Sequence, residues 1–97
     1  MFLVLLSYLV PEERILPLRD EHYVFIDQHF RSGTFLLGGR KVPATGGFIL
    51  AQGVSREELD RILGEDPYLR AGLVAHEVTE LLPTRARPDL AAVIGVP

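Results

Sequence analysis

The chain begins with an apolar run, residues 1–10, in which strand-forming residues stand among leucines. Alternation along this run gives two apolar faces, one with Phe2, Val4, Leu6 and Tyr8 and the other with Leu3, Leu5 and Leu9. Two apolar faces are typical of a central strand in a sheet that is covered on both sides. A chain of 97 residues is long enough for its helices to cover one face of the sheet, but hardly both faces. The pattern therefore predicts a homodimer in which a second copy covers the other sheet face.

The same run lacks the features of an export or membrane segment. No Lys or Arg precedes it, and Pro11-Glu12-Glu13 follows where small cleavage-site residues would stand. A membrane-spanning helix needs about 20 apolar residues, roughly twice this length. We therefore expect a cytoplasmic protein without a membrane partner.

A helical period follows over residues 18–32, between Pro17, which suits a first helical turn, and Gly33, which suits a C-terminal stop. One stripe of this helix carries Leu18, His22, Phe25, Ile26 and His29. A short strand over 34–37, a glycine- and proline-containing turn over 40–47 and a strand over 48–52 then predict a hairpin.

The second half of the chain adds a helix and a strand. Ser55 and Glu58 form a capping box for a helix that ends near Gly64. A short turn over 66–72 leads to a fourth strand over 73–82.

The resulting order β-α-β-β-α-β predicts one α+β domain over residues 1–97. Its expected fold is ferredoxin-like, a four-stranded antiparallel sheet with the helices on one face. The tail, residues 83–97, has three prolines and no clear period. We expect it either to dock as one helical turn or to pack on the partner subunit.

Composition narrows the chemistry by exclusion. The chain has no Cys, which excludes disulfides, thiolate metal ligands and a cysteine nucleophile. Its net charge of −3 argues against a nucleic-acid partner. His22 and His29 stand seven apart, not the three or four that let one helix hold a metal. We expect no metal and no cofactor.

His22 and Asp66 are the candidate catalytic residues, and each has two interpretations. His22 is either a packed histidine with a satisfied ring nitrogen or a general base at the edge of the core. Asp66, directly before Pro67, is typical of a helix N-cap, which alone would explain it. Alternatively, its carboxylate orients His22.

The segment Gly38-Gly39-Arg40-Lys41 is the candidate substrate-binding element. Glycine there lets a ligand approach the backbone, and Arg40 offers charge to a small carboxylate. A solvated strand edge is the competing interpretation. We assign no role to His76.

Several spaced motifs together resemble the YCII-related (YciI-like) family. They are Phe2-Leu3-Val4-Leu5, Arg19-x-x-His22, Gly33-x-x-Leu36-x-x-Gly39 and Glu65-Asp66-Pro67-Tyr68-x-x-Ala71-Gly72-Leu73. The resemblance implies a ferredoxin-like dimer of the dimeric α/β-barrel superfamily, with His22 and Asp66 centred in the site and Gly39 beside the pocket. Arg40 stands where this family commonly has proline, so the shape and charge of that side of the pocket differ.

Two functions are consistent with these features. In the first, His22 moves a proton, Asp66 orients it, and Arg40 or amides near Gly39 stabilise an oxyanion. The reaction would be isomerisation, elimination or lyase chemistry on a small organic acid or cyclic ketone. The alternative is a non-catalytic dimeric module that binds a metabolite or another protein. A water-accessible cavity reaching His22 would favour the enzyme.

Overall fold

The four strands and the two longer helices between them follow the predicted order β-α-β-β-α-β, with short helical segments added. A computed structural model describes residues 1–96, and Pro97 lies outside the described residues. The elements are β1 (Phe2–Tyr8), α1 (Glu12–Ile15), a 3₁₀ turn (Leu16–Leu18), α2 (Arg19–Arg31), β2 (Phe35–Arg40), β3 (Gly46–Ala51), α3 (Arg56–Leu63), α4 (Pro67–Arg70), β4 (Val74–Glu80) and α5 (Pro88–Ile94).

The four strands form one antiparallel sheet in the order β2-β3-β1-β4. β1 pairs along its length with β3 on one side and with β4 on the other. β3 therefore separates β1 from β2, and β1 separates β3 from β4, as two interleaved β-α-β units require. The predicted ferredoxin-like α+β fold is confirmed.

The core lies between the helices and one face of the sheet. Its buried side chains come from all four strands and from α1 to α4, and include Phe2, Val4, Leu6, Ile15, Phe25, Phe35, Ile49, Ala51, Leu59, Ile62, Leu63, Tyr68 and Val74. Burying each large apolar side chain stabilises the fold by about 1.5–3 kcal/mol. The predicted stripe of α2 faces this core, with Phe25 and His29 buried and His22 half-buried.

The opposite face of the sheet is also apolar along its central strands. The register places Leu3 beside Leu50 and Leu5 beside Phe48, so their side chains share this face. All four side chains are half-buried, and Leu37 on β2 is 53% exposed. We name this surface, formed by Leu3, Leu5, Leu37, Phe48 and Leu50, the outer sheet face.

The entry into α2 is more helical than the sequence pattern predicts. α1 and the 3₁₀ turn precede it, and Pro17 lies in that turn. Two acidic residues in the first turn of α1 favour its N-terminus. Ile15, 1% exposed, anchors α1 to the core.

The hairpin strands are longer than predicted, because β2 continues to Arg40 and β3 begins at Gly46. The glycines of β3 are explained by close packing rather than by a turn. A Cβ at Gly46 would overlap the Leu6 carbonyl oxygen, and one at Gly47 would lie 2.8 Å from the Gly39 oxygen.

The tail contains a seven-residue helix, α5. Gly95 ends it in the left-handed conformation, and Gln52 Nε2 donates to the Val93 carbonyl at 2.9 Å. Packing of the tail on a partner stays a prediction. Within residues 1–96 no helix has the length and apolar character needed to cross a membrane, and a cytoplasmic location stays a prediction.

Candidate active site

His22 and Asp66 are in direct contact although 44 residues separate them. His22 Nδ1 lies 2.8 Å from Asp66 Oδ1. α2 directs His22 towards the core edge, and Asp66 stands at the cap of α4, which packs against α2. Asp66 is 2% exposed, whereas the His22 side chain is 13% exposed. The structure thus brings together the two residues that the sequence selects as catalytic.

Asp66 caps a helix and binds the histidine with the same atom. Its Oδ1 also accepts the backbone N–H of Tyr68 at 3.0 Å. The two interpretations of Asp66 are therefore compatible. Because a carboxylate only accepts hydrogen bonds, Nδ1 of neutral His22 carries the hydrogen. Nε2 then has the lone pair that a general base needs.

Nε2 of His22 is accessible from a cavity. No residue within 1–96 bonds to this nitrogen, and the described part of the chain has no buried side-chain nitrogen or oxygen without a partner. Nε2 is therefore not sealed in the core. His22 lines a cavity between α2 and the sheet, which is the feature that favours an enzyme over a purely structural histidine.

The cavity has a volume of about 230 Å³. A protein cavity of about 150 Å³ is large enough for benzene, so one substituted ring fits here. Its polar lining side chains are basic or phenolic: Tyr8, Arg19, His22, Tyr23, Arg40 and Tyr68. Within residues 1–96, no carboxylate side chain lines the cavity. The cavity therefore suits a small, ring-sized ligand with anionic character.

Tyr68 fixes the plane of the histidine ring. The two rings stack with centroids 4.0 Å apart and an interplanar angle of 11°. Burial raises the pKa of the Tyr68 hydroxyl, the neighbouring Tyr8 adds to this shift, and the Arg19 guanidinium opposes it. The hydroxyl is protonated at neutral pH even at the ordinary tyrosine pKa of 10.0, so it is available as a hydrogen-bond donor.

Arg19 joins His22 at the cavity from the same face of α2. The three-residue spacing places the two side chains about one helical turn apart. The sequence alone assigns no site role to Arg19 or Tyr68. The available signals were the spacing Arg19-x-x-His22 and the position of Tyr68 directly after Asp66-Pro67.

Gly39 and Arg40 also line the cavity, at the end of β2. A Cβ at Gly39 would lie 3.1 Å from the Phe48 ring. Phe48 lies on the outer sheet face, so a side chain at Gly39 would point to that face as well. Gly39 therefore faces the cavity through its backbone. Arg40 is exposed at the cavity rim. Their substrate-binding roles stay predictions.

The other two histidines lie outside this cavity. His29 Nε2 lies 3.0 Å from Glu65 Oε1, and His76 is half-buried on β4. Within residues 1–96, His, Asp and Glu side chains form no group of three placed to hold a metal ion.

A family comparison covers most of the chain. Residues 1–82 match the model of the YCII-related domain. The chain belongs to the YCII-related family. This confirms the family that the sequence motifs indicate, while residues 83–97 lie outside the match.

Among solved structures, this YCII-related chain is similar to 5-chloro-2-hydroxyhydroquinone dehydrochlorinase from Burkholderia phenoliruptrix AC1100, in complex with 2,5-dihydroxybenzoquinone. The TM-score is 0.69 at 18% identity, covering 84% of this chain and 94% of the dehydrochlorinase chain. At this identity the similarity establishes the fold. Comparison with curated proteins gives no match.

Proposed function

We propose that this YCII-related protein is an enzyme in which His22 moves a proton of a small organic substrate. The observation that carries the proposal is the bond from His22 Nδ1 to buried Asp66, which leaves Nε2 accessible at a ring-sized cavity. A carboxylate behind a histidine orients the ring and stabilises the imidazolium that forms when Nε2 takes a proton.

The proton transfer starts at a C–H bond next to a carbonyl group. His22 Nε2 accepts the proton, the C–H electron pair forms a C=C bond, and the carbonyl oxygen becomes an oxyanion. Arg40, or backbone amides near Gly39, stabilise that oxyanion. The proton then returns to a different carbon in an isomerisation. In an elimination, the oxyanion re-forms the carbonyl group, the C=C electron pair moves to the adjacent carbon–carbon bond, and a leaving group on the β-carbon departs with its bonding pair.

The solved relative supports elimination as the reaction class. Its name describes removal of hydrogen chloride from a hydroxylated aromatic compound, and its complex holds a quinone. Both compounds are single rings, the size that the cavity of about 230 Å³ accepts. A 5-chloro-2-hydroxyhydroquinone-like ring is therefore the first substrate to test.

We also propose that the working unit is a homodimer formed through the outer sheet face. Leu3, Leu5 and Leu50 form a continuous apolar surface there on the two central strands. An identical surface on a second copy matches it in chemistry, as two-fold assembly requires. The family resemblance implies dimers, which supports a second copy of the chain as the partner on this face.

The test first identifies a ligand and then measures whether the protein exchanges or removes a proton of that ligand. A metabolite pool, with 5-chloro-2-hydroxyhydroquinone and 2,5-dihydroxybenzoquinone added, is screened for thermal stabilisation of the wild type and of His22→Gln. Ligands that stabilise the wild type are incubated in D2O. Deuterium uptake at carbon is followed by NMR, and chloride release is followed where chlorine is present.

His29→Gln is the matched control, because it makes the same change on the same helix outside the cavity. We expect His22→Gln to lower exchange or chloride release by about 10²-fold or more, with His29→Gln close to the wild type. Binding without exchange or turnover in the wild type, or full activity in His22→Gln, would instead favour the metabolite-binding module.

A further inference from the structure

The polar part of the cavity is cationic although the chain as a whole is acidic. The net charge is −3, yet the described residues that line the cavity include two arginines and no carboxylate side chain. A concave site with one sign of charge and partly apolar walls concentrates ligands of the opposite sign. The charge distribution therefore selects an anionic ligand, and the remaining question is which arginine binds it.

We propose that Arg19 determines specificity by binding the anionic group of the substrate, a carboxylate or an ionised ring hydroxyl. This inference rests on the proposed function of the same cavity. Arg19 and His22 lie one helical turn apart and both line the cavity. A substrate held by Arg19 then lies in the same cavity as the nitrogen that moves the proton.

The charge of Arg19 is available to a ligand. Within residues 1–96 its carboxylate partner is Glu12, with 3.6 Å between Arg19 Nη2 and Glu12 Oε1. This distance is too long for a hydrogen bond, and the two side chains are 32% and 49% exposed. An ion pair of this kind is weak and exchanges readily with water or with a better anion.

Tyr68 provides a second donor beside Arg19. The guanidinium lies close enough to lower the pKa of the Tyr68 hydroxyl electrostatically, against the larger upward effect of burial. A guanidinium and a neutral phenol together offer several N–H and O–H donors to one anionic group. Because Tyr68 stacks on His22, this donor pair is held in a fixed position relative to the base.

Arg40 is the weaker candidate for this role. It lies exposed at the end of β2 and makes no ion pair with any described residue. Its long side chain would lose conformational freedom on binding, whereas Arg19 is already half-buried between Glu12 and Tyr68. Arg40 can attract an anion to the cavity mouth, and Arg19 selects it inside.

The test compares benzoate with benzamide, a neutral probe of nearly the same shape, by isothermal titration calorimetry at low salt. We expect the wild type to prefer benzoate by about 10- to 100-fold, the range of a charge-assisted contact. Arg19→Met should bring the two affinities to within about threefold, and Arg19→Lys should restore part of the preference. Arg31→Met, the matched control at an exposed position of α2 outside the cavity, should retain the full preference.

The inference is overturned if folded Arg19→Met keeps the preference, or if the wild type binds benzamide as well as benzoate. It is also overturned if the wild type does not bind benzoate at millimolar concentration. Circular dichroism checks the fold of each variant, and Arg19→Gln replaces Arg19→Met if the latter is unfolded. His22→Gln separates the two proposals: benzoate preference with full turnover in this variant removes the proposed function and leaves the role of Arg19 intact.

Discussion

Oδ1 of Asp66 accepts hydrogen bonds from His22 Nδ1 at 2.8 Å and from the Tyr68 backbone N–H at 3.0 Å. One carboxylate oxygen therefore positions the histidine and begins the helix that carries Tyr68. The Tyr68 ring in turn stacks on the His22 ring. The three residues form a closed set of contacts, so the geometry of the base depends on the local fold of the α4 turn.

Asp66→Asn and Asp66→Ala should have separate effects on stability. Asn is as good an N-cap as Asp and keeps an oxygen that both donors can reach, so we expect a loss below about 1 kcal/mol. Asp66→Ala removes the cap, at about 1 kcal/mol, and leaves the His22 nitrogen unpaired, at a further 1–3 kcal/mol. Urea unfolding measures both. Asp66→Asn should still lower turnover about 10- to 100-fold, because the charge behind the imidazole is lost.

Glu65→Ala provides the control for Asp66→Ala. Glu65 also binds a histidine of α2, His29, but its side chain is 53% exposed and water can replace it. We expect a loss below about 1 kcal/mol. Equal losses in Glu65→Ala and Asp66→Ala would contradict the double role of Asp66 Oδ1.

The helices and strands that position the site follow from local sequence signals. Ser55 accepts the Glu58 N–H at 3.1 Å, as the capping box predicts. The stripe of α2 that carries His22 faces the core because its apolar residues recur with the helical period. These signals act within a few residues, which is why the sequence alone is sufficient for them.

Contacts between residues far apart in the chain are harder to predict from the sequence. The sequence nominates both His22 and Asp66, but only the packing of α4 against α2 shows that their side chains meet. The same packing places Tyr68 beside Arg19. The sequence pattern places Gly46 in a turn. The reason for glycine at this position is instead the close approach of the Leu6 carbonyl, a tertiary contact that a local pattern does not show.

Tyr68 should make stability sensitive to alkaline pH. Its pKa is raised in the folded state above the ordinary 10.0, so the unfolded chain ionises first as the pH rises. The contribution is present below pH 10.0 and is lost as the pH rises through the folded pKa. We expect Tyr68→Phe, which keeps the ring stack, to reduce the fall in unfolding free energy above that pH. The wild type is the reference, because Tyr8 and Tyr23 both contribute to the raised pKa of Tyr68, and an unchanged slope in Tyr68→Phe would contradict the prediction.

Leu5→Lys should dissociate the proposed homodimer. Leu5 lies on β1 at the centre of the outer sheet face, opposite Phe48. A lysine there would bury a charge in a dimer and meet water in a monomer, so the monomer is favoured. Size-exclusion chromatography with light scattering should show twice the monomer mass for the wild type and the monomer mass for Leu5→Lys. Val24→Lys, at a position 70% exposed on α2, should leave the mass unchanged; a monomeric wild type would reject the dimer.

Gly46→Ala should damage the sheet and the cavity together. A Cβ at Gly46 would overlap the Leu6 carbonyl oxygen, so β1 and β3 must separate to accept it. Leu6 and Gly46 also line the cavity, and ligand affinity should therefore fall with stability. Gly53→Ala is the matched comparison, because its φ of 79° is unfavourable to alanine but no atom lies within 4 Å of the added Cβ. Urea unfolding should show a loss of about 1–2 kcal/mol for Gly53→Ala and of more than about 3 kcal/mol for Gly46→Ala. Similar losses in the two variants would mean that β1 and β3 accept the added methyl group. The close approach of the Leu6 carbonyl would then not explain why Gly46 is glycine.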